Sequence, residues 1–292
     1  MLQQALNGLF VGSIYALFAV GYTLVFGVLD ILNLAHQAVF MLSAFAALAL
    51  VADAGFPLWA ALPLAVVFGG MLGLGLERIA FRPLRDRADS NISGLISSLA
   101  MATIFESIAA QIWGPDISRF PFNAFPDRTL EFAGASASLL QLCILGISIA
   151  LMALLTLLIA RTRLGRQIRA VAESPRAARV LGIDVDRVIA ASFFLSSALG
   201  GAAGVLFGLA FNSISPDVGR SVELKGLAVI ILGGMGSVPG AVAAGFALGL
   251  VEVFTVSHLG ASYRDVVSFA VLFLVLIARP RGLFGQAAVR EA

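Results

Sequence analysis

Apolar runs alternate along the chain with short polar islands. The runs cover residues 5–29, 37–52, 57–76, 92–113, 137–160, 188–211, 240–257 and 265–278. Most approach the roughly 20 residues that a helix needs to cross the hydrocarbon of a bilayer. Two places break the pattern. At 27–36 (GVLDILNLAH) polar residues interrupt the end of the first run. On a helix, Asp30, Asn33 and His36, spaced by three, share one face. Polar groups at that depth face protein or a water-filled cavity; the alternative is a plain loop between the first two spans. At 223–241 (ELKGLAVIILGGMGSVPGA) only 224–233 is continuously apolar before Gly233, Gly234, Met235, Gly236 and Ser237. That is short for a span and predicts a broken or half helix near 223–238. The expectation is an all-α integral membrane protein of about 8–9 helices in a single membrane domain, 1–292. Both 5–113 and 188–278 open with a small-residue span, pass through a polar interruption and return to apolar spans. They start on opposite sides, as the units of an inverted repeat do.

Composition sharpens this reading. Of 292 residues, 60% are hydrophobic and 12% charged, with a mean hydropathy of +0.98. Soluble domains carry about 25% charged residues, so the lipid bilayer is the solvent. A pI near 9.1 usually hints at nucleic acid, but the arginines cluster at the ends of apolar runs and act as topology determinants. No nucleic-acid partner is expected. The basic islands are Arg78, Arg82, Arg85 and Arg87 against Glu77 and Asp86, then the stretch 161–187, then Arg279, Arg281 and Arg290 in the tail. All are assigned to the inside. The loop 114–136 has Asp116, Asp127 and Glu131 against Arg119 and Arg128 and is assigned outside. No Lys or Arg precedes Arg78, so the N-terminus reads as outside and the C-terminus as cytoplasmic. Cys143 permits no intramolecular disulfide.

Several chemistries find no support. The only lysine, Lys225, has no glycine at the upstream spacing of a phosphate-binding loop. His36 and His258 belong to no metal-ligand pattern, and no nucleophile with a base and an orienting partner emerges. No cofactor is expected, and no enzymatic activity. Two classes remain open: a permease driven by an external motor, and a gradient-driven carrier or channel. The second needs ionisable groups in the membrane, for which Glu106 and Glu252 are the candidates. Asn33, His36, Gln37 and Met41, with Gly233, Gly234, Met235, Gly236 and Ser237, are the candidate pathway positions, because they form the breaks within apolar runs. Tight packing around glycines is the competing reading for 233–237.

The island 161–187 (RTRLGRQIRAVAESPRAARVLGIDVDR) holds seven arginines and three acids. From charge alone it is an ordinary basic loop. Four stretches change that. GSIYALFAVGYTLVFGVLDILNLAHQAVFMLSAF (12–45), ERIAFRPLR (77–85), the island itself with Gly165, Arg169, Ala170, Ala177, Gly182 and Ile183, and ILGGMGSVPGAVAAGFALGLVE (231–252) together resemble the permeases of bacterial branched-chain amino acid ABC importers. The shorter of the two paralogous permeases is the better match, over nearly the whole chain. The resemblance implies a bacterial inner-membrane protein working with a second paralogous permease or a second copy of itself. It further implies two cytoplasmic ATPase subunits and a periplasmic substrate-binding protein. ATP hydrolysis would lie in the ATPases, and 161–187 would be the region they push. Gly165, Arg166, Arg169, Ala170, Pro175, Ala177, Leu181, Gly182 and Ile183 are the coupling candidates. Pro175 favours a helix start after Ser174, and Gly182 a stop. On that short helix Ala178 and Leu181 are expected on one side, Arg176 and Arg179 on the other. The chain departs from the family at Gln37, at Ser43-Ala44-Phe45 and at ATIFES (102–107), which extends the expected substrates to other small amino acids, amides or urea.

Overall fold

The computed structural model describes residues 1–85, 90–121, 125, 128–132, 135–280 and 282–285. Asp86, Arg87, Asp127, Arg281 and Arg290, counted above as topology charges, lie outside the described residues. The helices are α1 (Leu2–Leu29), α2 (His36–Ala52), α3 (Leu58–Leu76), α4 (Ser90–Trp113), α5 (Leu139–Arg161), α6 (Arg163–Glu173), α7 (Pro175–Val180), α8 (Val185–Phe211), α9 (Val218–Gly233), α10 (Val238–Leu259) and α11 (Arg264–Ala278). A π turn (Glu77–Phe81) and a 3-10 turn (Arg82–Leu84) continue α3. Seven helices among the described residues are long and apolar enough to cross a bilayer; α2 and α9 are shorter. The protein is an all-α, multi-pass membrane protein, as the hydropathy pattern requires.

α1 and α8 form the buried centre. The most extensive packing is α1 on α10 and α3 on α8. Both contacts depend on small residues, because backbones can approach closely only where no side chain intervenes. Gly8 and Gly12 of α1 meet Gly245 and Gly249 of α10, and a Cβ on Gly245 would lie 2.6 Å from Ala16 Cβ. On the other side, a Cβ on Gly69 or Gly201 would press on Ser43 Oγ at 2.7 and 2.6 Å. Each long helix thus packs on the third apolar helix of the opposite half of the chain.

The same pairing shows in the breaks. α1 has 28 residues, about 42 Å, and ends on Asp30 with φ 54°. α8 has 27 residues and ends on Asn212 with φ 44°. Asp and Asn are the residues other than Gly that tolerate this left-handed region best. After each cap comes a non-helical stretch of about five residues, then a short helix. α2 has 17 residues and α9 has 16, about 25 Å each, less than the ~30 Å hydrocarbon thickness.

Two expectations change here. Residues 31–35 are not helical, so Asp30, Asn33 and His36 share no helix face: Asp30 is exposed as the cap of α1, while Asn33 and His36 are buried. The half helix expected near 223–238 begins earlier, at Val218, and carries Arg220, which pairs with Glu106 of α4.

The two ends of the bundle are distinct. At one end, a hairpin of β1 (Thr129–Phe132) and β2 (Ala135–Ser138) meets the start of α1. Gln3 donates to the Ser136 carbonyl and accepts from its N–H, both at 2.8 Å. A bridge joins Ser118 to Ile214, and Asn212 Oδ1 accepts from Phe120 N at 2.8 Å. At the other end, the chain after α11 returns to cap α9: Leu283 N donates to Leu232 O at 2.8 Å and Phe284 N to Gly233 O at 3.0 Å.

Candidate translocation site and coupling corner

The island 161–187 folds into a capped corner. Thr162 Oγ1 accepts from Gly165 N at 3.1 Å and starts α6. Ser174 Oγ accepts from Ala177 N at 3.2 Å and starts α7, with Pro175 as its first residue. Gly182 stops it with φ 79°, while Ile183 N closes back on Ala178 O at 3.0 Å. Asp184 Oδ1 then accepts from Arg187 N at 3.1 Å and starts α8. Each turn is held by a side chain or a left-handed residue, so the corner is stiff. Gly165 sits against the backbone of Ile159, where a Cβ has no room, and Arg169 donates to the Ile159 carbonyl. Arg166, Pro175, Ala177 and Gly182 are exposed; Ala170 and Ile183 are half-buried. Ala178 and Leu181 do not share a side. Ala178 packs inward, while Leu181 lies past the last helical turn and is 77% exposed, next to Val180 at 87%.

The motif 77–85 is tied to this corner. Arg85 pairs with the buried Glu77 and with Asp186 at 2.7 Å; Arg82 reaches Asp186 at 2.9 Å. A cavity of about 660 Å³ lies between α7 and the ends of α1 and α3, with Arg85, Arg176 and Arg179 in its wall.

The first break, 33–41, lies inside the bundle. Asn33 Oδ1 accepts from Ala35 N at 3.2 Å, and its Nδ2 has no partner among the described residues. His36 is fully buried against Phe18 and Tyr22, ring centroids 4.8 and 5.4 Å away. Gly200 makes its room: a Cβ there would lie 2.6 Å from His36 Cε1. Met41 is buried in the same core. Gln37 is 3% exposed, and its Nε2 donates to Glu106 Oε1 at 2.7 Å. Arg220 of α9 grips both oxygens of Glu106, with Nε 3.1 Å from Oε1 and Nη2 on Oε2. Glu223, one turn on, is in electrostatic reach of Glu106 and Arg220. Gly219 lies directly on the Gln37 carbonyl, so the starts of α2 and α9 touch.

The second break, 233–237, is at the far end of α9, about 21 Å along the helix from Gly219. Positions 33–41 are not brought to 233–237; of the first break only Gly27 comes close, a Cβ there lying 3.7 Å from Gly236 Cα. Gly234, at φ 99°, is pressed against Gly285 of the returning tail, and Ser237 Oγ caps α10 by accepting from Gly240 N at 3.2 Å. Gly233 is buried, Gly236 is exposed beside Gly27, and Met235 projects outward. Sequence reasoning missed Arg220 and Glu223. The available signal was two charges three apart, opening a short apolar helix.

A further ionic knot joins α1, α9, α10 and α11. Buried Glu252 accepts from Tyr15 at 3.1 Å and from Lys225 at 2.8 Å and pairs with Arg264, while Asp265 lies 3.4 Å from Lys225.

Comparison with known proteins adds to this geometry. The family described as branched-chain amino acid transport system / permease component matches residues 4–276. The high-affinity branched-chain amino acid transport system permease protein LivH of Escherichia coli (strain K12) is 36% identical, across 99% of this chain and 97% of that protein. BraD of Pseudomonas aeruginosa, described in the same words, is 36% identical over the same shares. Among solved structures, PsaBC from Streptococcus pneumoniae in complex with Fab aligns over 95% of this chain and 92% of that chain, with a TM-score of 0.51 at 13% identity, a likeness of fold.

Proposed function

Because the chain belongs to the family of branched-chain amino acid transport permeases, we propose that it is the membrane subunit of an ATP-driven importer. It carries branched-chain or other small amino acids, amides or urea across the bacterial inner membrane. A second permease, a longer paralogue or another copy, completes the pore. Two cytoplasmic ATPase subunits supply the energy, and a periplasmic binding protein delivers the substrate. The N-terminus with the β-hairpin faces outward; the corner 161–187 and the returning tail face the cytoplasm. Residues 5–113 and 188–278 are the two inverted units.

The observation that carries this reading is the corner. Three consecutive caps hold it, and two apolar side chains stand in the open at its tip. A stiff, exposed apolar tip flanked by Arg176 and Arg179 suits a groove on a moving partner. Gly165, Arg166, Arg169, Ala170, Pro175, Ala177, Leu181, Gly182 and Ile183 make up this contact and its support. Closure of the ATPase pair pushes α7. The push passes into α8 and, through Asp186 and Arg85, into the 77–85 turns. Such a rigid-body displacement switches the pore between outward- and inward-open states.

The reading is tested by purifying the tagged chain from native membranes in mild detergent. ATPase subunits and a second permease are expected to co-purify in fixed ratio. Recovery of this chain alone, folded and free of any ATPase, would contradict the proposal.

A further inference from the structure

We propose that the junction of the two short helices is a binding station for the charged backbone of a free amino acid. Arg220 and the two helix starts take the α-carboxylate, and Glu106 and Glu223 take the α-ammonium. The inference rests on the amino-acid importer reading above and names the chemistry inside the pore.

Three features point to this spot. First, α2 and α9 both begin within the bundle, and their starts meet at Gln37 and Gly219. Neither start has a side-chain cap; the N–H groups of His36, Ala38, Val218 and Arg220 bond backbone carbonyls, which leaves those of Gln37 and Gly219 for a ligand. The first N–H groups of a helix lack intrahelical partners and carry partial positive charge. Broken membrane helices aim such ends at anionic groups of their substrates.

Second, polar atoms with no partner among the described residues gather here in buried positions. They are Gln37 Oε1, on a side chain held at its other end by Glu106, and Glu223 Oε1, one turn beyond Arg220. Tyr22 Oη, without a partner, is in electrostatic reach of Glu223. Buried polar atoms are normally satisfied, and a ligand ammonium would satisfy the two acceptors.

Third, the charges complement a zwitterion. Arginine's planar fork binds a carboxylate at two points, and Arg220 already does so with Glu106. In this state Glu106 fills the place of a ligand carboxylate. An arriving amino acid takes over the fork, and its ammonium occupies the released Glu106 together with Glu223. The Arg220 side chain is 65% exposed while Glu106 is 11% exposed, so the pair spans an open side and a closed one. Recognition of the common backbone leaves the side chain free to vary. It makes amides and urea poor substrates at this step, since they lack the paired charges.

The test is uptake into proteoliposomes by the complete complex with its loaded binding protein and ATP on the cytoplasmic side. Radiolabelled L-leucine, L-alanine and L-glutamine are the probes. Arg220→Gln should reduce uptake by about tenfold or more, as loss of a charge-assisted hydrogen bond does, and Arg220→Lys should recover part of it. Should Arg220→Gln fail to assemble, Glu223→Gln, which leaves the Arg220–Glu106 pair in place, carries the same expectation. The exchanged pair Glu106→Arg with Arg220→Glu separates recognition from a structural tie. A tie would be restored, whereas a recognition site stays inactive because a carboxylate then stands at the helix starts. Normal uptake by the single variants, or by the exchanged pair, overturns the station and leaves the importer reading intact. Absence of amino-acid uptake by a wild-type complex that still imports amides or urea overturns the station alone; absence of uptake of amino acids, amides and urea alike overturns both.

Discussion

Glu252→Ala is expected to cost about 3–5 kcal/mol, the range for removing one partner of a buried charge pair. Glu252 has 0% exposure, accepts from Tyr15 and Lys225 and pairs with Arg264. Its loss takes the carboxylate from Arg264 and leaves Lys225 with only the exposed Asp265 at 3.4 Å and the Tyr15 hydroxyl at 3.2 Å. Helix α11 buries little else, so the knot is its main tether. Glu252→Gln, similar in size but uncharged, should fall between wild type and alanine. The check is thermal stability by size-exclusion fluorescence of the detergent-solubilised protein. Alanine should lower the midpoint by about 10 °C, given roughly 2–4 °C per kcal/mol for a chain of this size class. A wild-type midpoint would mean that the knot holds nothing.

Leu181→Asp is expected to leave folding untouched and to remove coupling. The side chain is 77% exposed, so the chain itself loses almost nothing. Burying a leucine in a partner is worth about 1.5–3 kcal/mol, and a carboxylate in the same seat adds a desolvation penalty. Stimulated ATP hydrolysis by the complex should therefore fall by about tenfold or more. Gly182→Val should act on the same readout by another route. At φ 79° a β-branched residue is strained by about 1–3 kcal/mol, so the stop after α7 loosens and the tip moves. Stimulated hydrolysis equal to wild type in both variants would remove the corner from the mechanism.

Most spans were legible because hydropathy over about 20 residues is a strong signal in lipid. The corner was legible too: Ser174-Pro175 and Gly182 are local helix punctuation, and the structure places a start and a stop on them. The orientation of Leu181 was not, since it depends on the helix ending one residue earlier. Gly8 and Gly12 carry no signal of their own in the sequence, since glycine is frequent in membrane helices; their use appears only against Gly245 and Gly249, more than two hundred positions away. The start of α9 was hidden for a similar reason. Arg220 lies ahead of the half helix expected near 223–238, and its place on α9 shows only when Glu106 and Gln37 stand beside it. A pairing between distant helices leaves no periodic trace in either segment. By the same token, the polar spacing of Asp30, Asn33 and His36 imitated a helix face where the backbone in fact turns at a left-handed Asp30.

On the proposed function, ATP hydrolysis in a partner, acting through the 161–187 corner, drives solute through this chain. The most direct measurement is labelled amino-acid uptake into proteoliposomes, comparing the whole complex given ATP with this chain alone under a proton gradient. Uptake is expected from the complex only with ATP and loaded binding protein, abolished by Leu181→Asp, and none from the chain alone. Gradient-driven uptake by the chain alone, dependent on Glu106 or Glu252, would contradict the proposed function.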